Sequence, residues 1–300
     1  MKPNIIIRKV ARVLLIVLLS LVAVAIFLAY YVQFRDTDSE LGKFFAEKRV
    51  PASIGYYNSH NRRLRYLVAG DTGAKAAVLF IHGAPSSMSY FKNYLSSDTL
   101  LQQASMLAID RPGYGYSGFG KPEPSISLQA AMIRPLLDSL RRARHPLIVV
   151  GVSYGTSVAC RLAMDYPQLV DALVLIAPAL APGEERVYSI AYFIEHPWVK
   201  WLIPSMFVSA NAEKLHHRQE LEKMLPYWKN IRVPVSYMQG ENDHLIYTSN
   251  ALFAKNQLVH APCLDVTMIP NRGHLIAFSE KDRITRLIRE MVEQAGQGRR

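Results

Sequence analysis

Apolar positions in this chain fall into three patterns, and each predicts a different kind of element. The first is an unbroken run over residues 13–32, in which twenty consecutive positions carry no charge and fourteen are Leu, Ile, Val or Phe. At a rise of about 1.5 Å per residue, a helix of that length reaches about 30 Å, the thickness of a bilayer's hydrocarbon core. The second pattern is a series of short runs at 77–81, 106–109, 147–150, 173–176, 235–238 and 266–269. Runs such as Ala77-Val78-Leu79-Phe80-Ile81, apolar at every position, suit strands buried on both faces. Residues 54–57 and 64–68 precede them as a leading antiparallel pair. The third pattern has helical spacing and occupies the intervals, over 128–144, 157–166, 249–258 and 280–294. Such alternation predicts an α/β domain with a mostly parallel eight-stranded sheet and helices on both faces.

Two stretches interrupt it. Residues 33–50 are polar and mixed in charge, which predicts a short stalk. Residues 181–229 hold no strand-like run but contain all three tryptophans, Trp198, Trp201 and Trp228, together with Phe193, Met206 and Phe207. That concentration predicts an inserted helical cap whose aromatic side chains line a pocket or its entrance, with ordinary core helices as the plainer alternative. The chain thus divides into an N-terminal segment 1–12, a transmembrane anchor 13–32, the stalk 33–50 and an α/β domain 51–300.

Charge gives the apolar run a direction. Lys2, Arg8, Lys9 and Arg12 precede it, whereas Arg35, Asp36, Asp38 and Glu40 follow with mixed sign. The positive-inside bias keeps the N-terminus cytoplasmic and exports the domain in a single pass, with Tyr30 and Tyr31 as an interfacial belt. A cleaved signal peptide competes, because Ala23-Val24-Ala25 offers small residues after an apolar stretch; the domain is exported either way. No Asn-x-Ser/Thr acceptor occurs, which favours a periplasm over a secretory lumen. The formal charge is +11, falling to +7 without the four leading basic residues, with Arg299 and Arg300 at the other end. No nucleic-acid motif accompanies it, so no nucleic-acid partner is expected. The two cysteines, Cys160 and Cys263, lack metal-ligand spacing; two buried free thiols are the expectation and a single bridge the alternative.

Candidate chemistry begins at Gly151-Val152-Ser153-Tyr154-Gly155, which follows one strand-like run and precedes a helical stretch. That is the setting of a nucleophile elbow, a sharp strand-to-helix turn whose flanking glycines avoid clashes and whose serine projects outward beside the helix's free N–H groups. Two further segments end strand-like runs: Ile81-His82-Gly83-Ala84-Pro85 and Asp110-Arg111-Pro112-Gly113-Tyr114-Gly115-Tyr116-Ser117. With these in place the chain closely resembles the α/β-hydrolase superfamily over roughly residues 52 to 295, in particular its cap-bearing branch of esterases, C–C bond hydrolases, proline iminopeptidases and epoxide hydrolases.

The resemblance implies a Ser–acid–His order along the chain. It makes Ser153 the nucleophile, and it makes the backbone N–H groups of Ala84 and Tyr154 the oxyanion donors, with His82 shaping the loop. His274, in Asn271-Arg272-Gly273-His274 after the last strand-like run, takes the base position. His60, His145, His216 and His217 lie in polar, surface-like contexts, His260 ends a helix, and His244 stands beside the acid. Asp243 in Gly240-Glu241-Asn242-Asp243-His244 matches the acid, with Glu241 as its rival. A serine at the elbow sets aside the alkyl-enzyme chemistry of branches that carry aspartate there. Hydrolysis of a small-molecule acyl substrate is expected, foremost a carboxylic ester with an apolar acyl group, without metal or other cofactor. Cleavage of a C–C or amide bond, and a non-catalytic binding role, are the alternatives.

Overall fold

The computed structural model describes residues 3–141 and 145–297. The last three positions of the helix expected over 128–144, and the charges of Lys2, Arg299 and Arg300, lie outside the described residues. Eight strands form one sheet: β1 (Ala52–Ser59), β2 (Arg62–Ala69), β3 (Ala77–Ile81), β4 (Ser105–Ile109), β5 (Leu147–Val152), β6 (Ala172–Ile176), β7 (Val235–Gly240) and β8 (Leu264–Ile269). Their order is β1-β2-β4-β3-β5-β6-β7-β8. β2 pairs antiparallel with both β1 and β4, and β3 to β8 all run parallel.

Period-two alternation sorts each central strand between two cores. Leu79 and Ile81 of β3, Leu107 and Ile109 of β4, and Val149 of β5 face one core; Val78, Phe80, Met106, Ala108, Ile148 and Val150 face the other. The first core is closed by α5 (Ile126–Arg141), α6 (Tyr154–Asp165) and α10 (Ser249–Gln257). The second is closed by α2 (Asp38–Glu47), the short α3 (Lys92–Leu95) and α4 (Asp98–Leu101), α11 (Ile276–Ser279) and α12 (Lys281–Gln297). Between β6 and β7, in the segment expected to form a cap, lie the helices α7 (Ile190–Ile194), α8 (Pro197–Lys200) and α9 (Ser205–Met224), followed by a 3₁₀ turn at Leu225–Asn230.

Ahead of the domain runs α1 (Pro3–Tyr31), whose segment Ile6–Leu28 is long and apolar enough to cross a membrane and is unburied. Leu14, Ile16, Leu19 and Phe27 are each more than half exposed, so α1 is no core helix. A helix of this kind serves as a membrane anchor or as a signal sequence.

Four expectations need correction. Residues 33–50 are no stalk: Thr37 and Glu40 form a reciprocal capping box that starts α2, and Leu41 and Phe45 bury completely in the second core. Arg35 donates to Gly115 O at 2.6 Å and lies over the rings of Tyr116 and Phe119, while Asp36 pairs with Lys92. Trp228 lines no entrance; it is buried against Phe253, whereas Trp198 and Trp201 stand out in solvent. His217 is fully buried, because one face of α9 points polar side chains at the core. The cysteines are both free, and Cys263 is exposed where a buried thiol was expected.

Candidate active site

At the end of β5 the backbone turns within one residue into α6, and Ser153 carries that turn with φ of 52° and ψ of −125°. An L-residue rarely adopts this region, so the surrounding bonds must hold it there. Ser153 N–H donates to Ile176 O at 2.9 Å, and its carbonyl accepts from Thr156 N–H at 2.9 Å. The turn fits only because Gly155 lacks a side chain: a Cβ there would lie 2.3 Å from Ile81 O and 2.6 Å from His82 O. The helix start is thus pressed against the 82–84 loop. Tyr154, as the first residue of α6, offers an N–H with no intrahelical acceptor.

The loop after β8 brings the imidazole. Gly240, at the end of β7, sits so close to that loop that a Cβ would meet Arg272 O at 2.2 Å, and Asn242 N–H donates to the same carbonyl at 2.8 Å. These contacts lock the β7 and β8 loops together. His274 Nδ1 donates to Asp243 Oδ2 at 2.8 Å, and Ser153 Oγ donates to His274 Nε2 at 3.0 Å. Asp243 is buried, and its Oδ1 accepts from the N–H groups of Leu245 and Ile246 at 2.9 Å each. Burial pushes its carboxyl up, but the His274 hydrogen bond and charge, with the two backbone N–H groups, outweigh it and leave the group below its ordinary value. The carboxylate therefore stays ionised and fixes the imidazole with Nε2 free to take a proton.

Ser153, Asp243 and His274 are brought together; Tyr154 follows the serine directly, and Gly83, the neighbour of Ala84, lies against it. Glu241 and His244 are exposed. His82 is buried, accepts from Arg111 N–H at 3.0 Å through Nε2 and donates from Nδ1 to Gly83 O at 2.7 Å. Burial and the neighbouring Arg111 hold its pKa well below the ordinary histidine value, so it remains a neutral brace of the loop.

Sequence reasoning missed a second set of polar contacts. From α9, Glu213, His217 and Glu220, spaced as one helix face, reach Arg111, Ser157 and Ile126 N–H. His217 Nδ1 in turn bonds Glu185 Oε1 at 2.8 Å, and Glu185 also pairs with Lys214. Their 213/217/220 spacing was the available signal.

The family model described as the alpha/beta hydrolase fold matches residues 76–202. A membrane phospholipase A, described as a bacterial virulence factor, superposes with a TM-score of 0.63 at 18% identity, covering 95% of this chain and 99% of that one. The chain has the α/β-hydrolase fold, and residues 76–202 resemble that family. Among its curated relatives, an uncharacterized protein of Mycobacterium tuberculosis (strain ATCC 25618 / H37Rv) is 30% identical over 128 residues, 43% of this chain and 36% of the relative. That match spans about a third of the relative's length. Monoacylglycerol lipase ABHD6 of Homo sapiens is 24% identical over 214 residues, 69% of this chain and 60% of the relative.

Proposed function

We propose that this chain is a membrane-anchored serine esterase that cleaves carboxylic esters with an apolar acyl group. The observation that carries the proposal is the hydrogen-bonded line from Ser153 through His274 to Asp243, headed by a serine on a strained turn. His274 Nε2 takes the Ser153 proton as Oγ attacks the ester carbonyl. The tetrahedral oxyanion rests on the N–H groups of Ala84 and Tyr154, His274 returns the proton to the departing alcohol, and water hydrolyses the acyl-enzyme by the same path.

The proposed topology sets α1 across the membrane with its basic end in the cytoplasm and the domain outside, in a periplasm. Support for a bilayer-derived substrate comes from the cap. Phe34, three residues past α1, packs on Phe207 in the first turn of α9. Just before that turn, α7, α8 and the residue that caps α8 expose Ile190, Tyr192, Phe193, Trp198 and Trp201. An apolar shoulder beside the exit of an apolar helix suits a lipid surface.

The test is fluorophosphonate labelling of alkali-washed membranes. The intact chain is expected in the washed membranes and labelled, while Ser153→Ala loses the label and about 10⁴-fold or more in turnover of a nitrophenyl ester. Retained labelling of Ser153→Ala would remove the nucleophile assignment, and a soluble, shortened species would remove the anchor.

A further inference from the structure

Directly behind the loop that carries Ala84 lies a cluster of polar side chains with no exposure at all: His82, Arg111, Gln129 and Glu213, with Tyr114 beside them. Arg111 follows β4 by two residues, and all five N–H groups of its guanidinium are engaged. Nε donates to His82 O at 2.7 Å and Nη2 to Gly83 O at 3.0 Å and Glu213 Oε2 at 3.1 Å. Nη1 donates to Glu213 Oε1 at 2.5 Å and Gln129 Oε1 at 2.9 Å. Glu213, which reaches in from α9 of the cap, also accepts from Tyr114 OH at 2.6 Å and Gln129 Nε2 at 2.9 Å.

The Gly83 carbonyl belongs to the same peptide unit as the Ala84 N–H. That unit is planar and trans, so its carbonyl and its N–H point in opposite directions. Holding the oxygen fixes where the N–H aims. Gly83 O is held twice, by Arg111 Nη2 and by His82 Nδ1. A cation on the carbonyl oxygen also draws electron density through the amide and strengthens the N–H as a donor. The loop needs this control because a Cβ on Gly83 would stand only 3.0 Å from Ser153 Cβ. The guanidinium also lies 4.6 Å from the ring centroid of Tyr154, which carries the other donor.

We propose that Arg111 and Glu213 are positioning residues for the oxyanion site: Arg111 grips the Gly83–Ala84 peptide from behind, and Glu213 fixes Arg111 from the cap, so that the seating of the cap sets the aim of the Ala84 N–H. The proposal rests on the serine-hydrolase reading of Ser153.

Glu213→Gln keeps the shape of the side chain but removes the charge that fixes Arg111, and Tyr114→Phe removes one hydrogen bond to Glu213. Both are made in the full-length chain and compared by thermal melting, kcat, KM and the inhibition constant of a trifluoromethyl ketone, which forms a tetrahedral adduct on the serine. Deleting an oxyanion donor outright costs about 10²- to 10³-fold, so misaiming one in Glu213→Gln is expected to lower kcat by roughly 10- to 100-fold with KM within about threefold. The ketone should weaken by the same factor, and Tyr114→Phe should show the same pattern at roughly 3- to 10-fold. A merely structural role would not move kcat and ketone affinity together while sparing KM. Folded variants with unchanged kcat, or a fall in kcat without weaker ketone binding, overturn the proposal; if Glu213→Gln does not fold, Tyr114→Phe decides it. Absence of fluorophosphonate labelling on Ser153 in the unaltered protein removes the serine-hydrolase reading and this inference with it, whereas a labelled protein with flat variants removes this inference alone.

Discussion

Four residues apart, Ser153 and Ser157 each head a series of serine, histidine and carboxylate with matching distances. In one, Ser153 Oγ stands 3.0 Å from His274 Nε2, and His274 Nδ1 stands 2.8 Å from Asp243. In the other, Ser157 Oγ stands 3.0 Å from His217 Nε2, and His217 Nδ1 stands 2.8 Å from Glu185. Their surroundings differ at every step. Ser153 is partly open to solvent on a left-handed turn, and its proton points at the imidazole. Ser157 is fully buried inside α6, and its one proton is held by Ala179 O at 2.5 Å, so it has none to give His217. Glu185 is shared with Lys214, whereas Asp243 serves His274 and two backbone N–H groups. Residue types and distances alone do not make a nucleophile; access, backbone strain and neighbouring oxyanion donors do.

The sharpest way to break the comparison is at the acids. Asp243→Asn is expected to lower kcat/KM for a nitrophenyl ester by about 10⁴-fold through loss of the imidazole tautomer, while exposed Glu241→Gln changes it by less than about threefold. The second effect is on stability. Burial pushes the Glu185 carboxyl up, but His217 and Lys214 outweigh it and hold it at about 2. The folded state therefore binds fewer protons than the unfolded chain, whose carboxyl titrates near about 4.3. That contribution, roughly 3 kcal/mol, is complete above about pH 5 and lost as pH falls toward 2. Urea unfolding in detergent at pH 7 and pH 3 should show a flatter acid limb for Glu185→Gln; an unchanged limb would remove the ion pair from the account. The smallest effect is Ser157→Ala, expected to cost about 1 to 3 kcal/mol by leaving buried groups unpaired, with labelling and kcat within about threefold of the parent. Loss of labelling there would put the two series on an equal footing.

The sheet was legible because runs such as 77–81 and 147–150 are apolar at every position and so have no alternative as exposed structure. That Ser153, Asp243 and His274 meet was legible because each follows a strand end and because Gly155 and Gly240 mark backbone contacts that admit no side chain. Polarity misled elsewhere. Residues 33–50 look solvated by composition, yet Thr37-Asp38-Ser39-Glu40 ahead of Leu41 and Phe45 is a helix-start signature that outweighs their mean character. His217 looks like a surface histidine because its partners Ser157 and Glu185 are far away in sequence, and a buried polar network is invisible to hydropathy. Trp228 was grouped with two exposed tryptophans by chain position, although its ring packs on Phe253, beyond the cap.

The clasp at Arg35 has a consequence for motion. With Arg35 bonded to Gly115 O and laid across Tyr116 and Phe119, only a few residues separate the last turn of α1 from the body of the domain, and those residues are themselves tied down. An enzyme on a long flexible tether sweeps a hemisphere and meets substrate at any height and tilt. In the proposed topology and function this domain is mounted more like the head of a record player: it drifts with its helix across the plane and spins about one axis, while the height of Ser153 above the lipid is set by the mount. Lateral diffusion then takes the place of three-dimensional search, and the depth at which an ester bond lies in the leaflet becomes part of its selection.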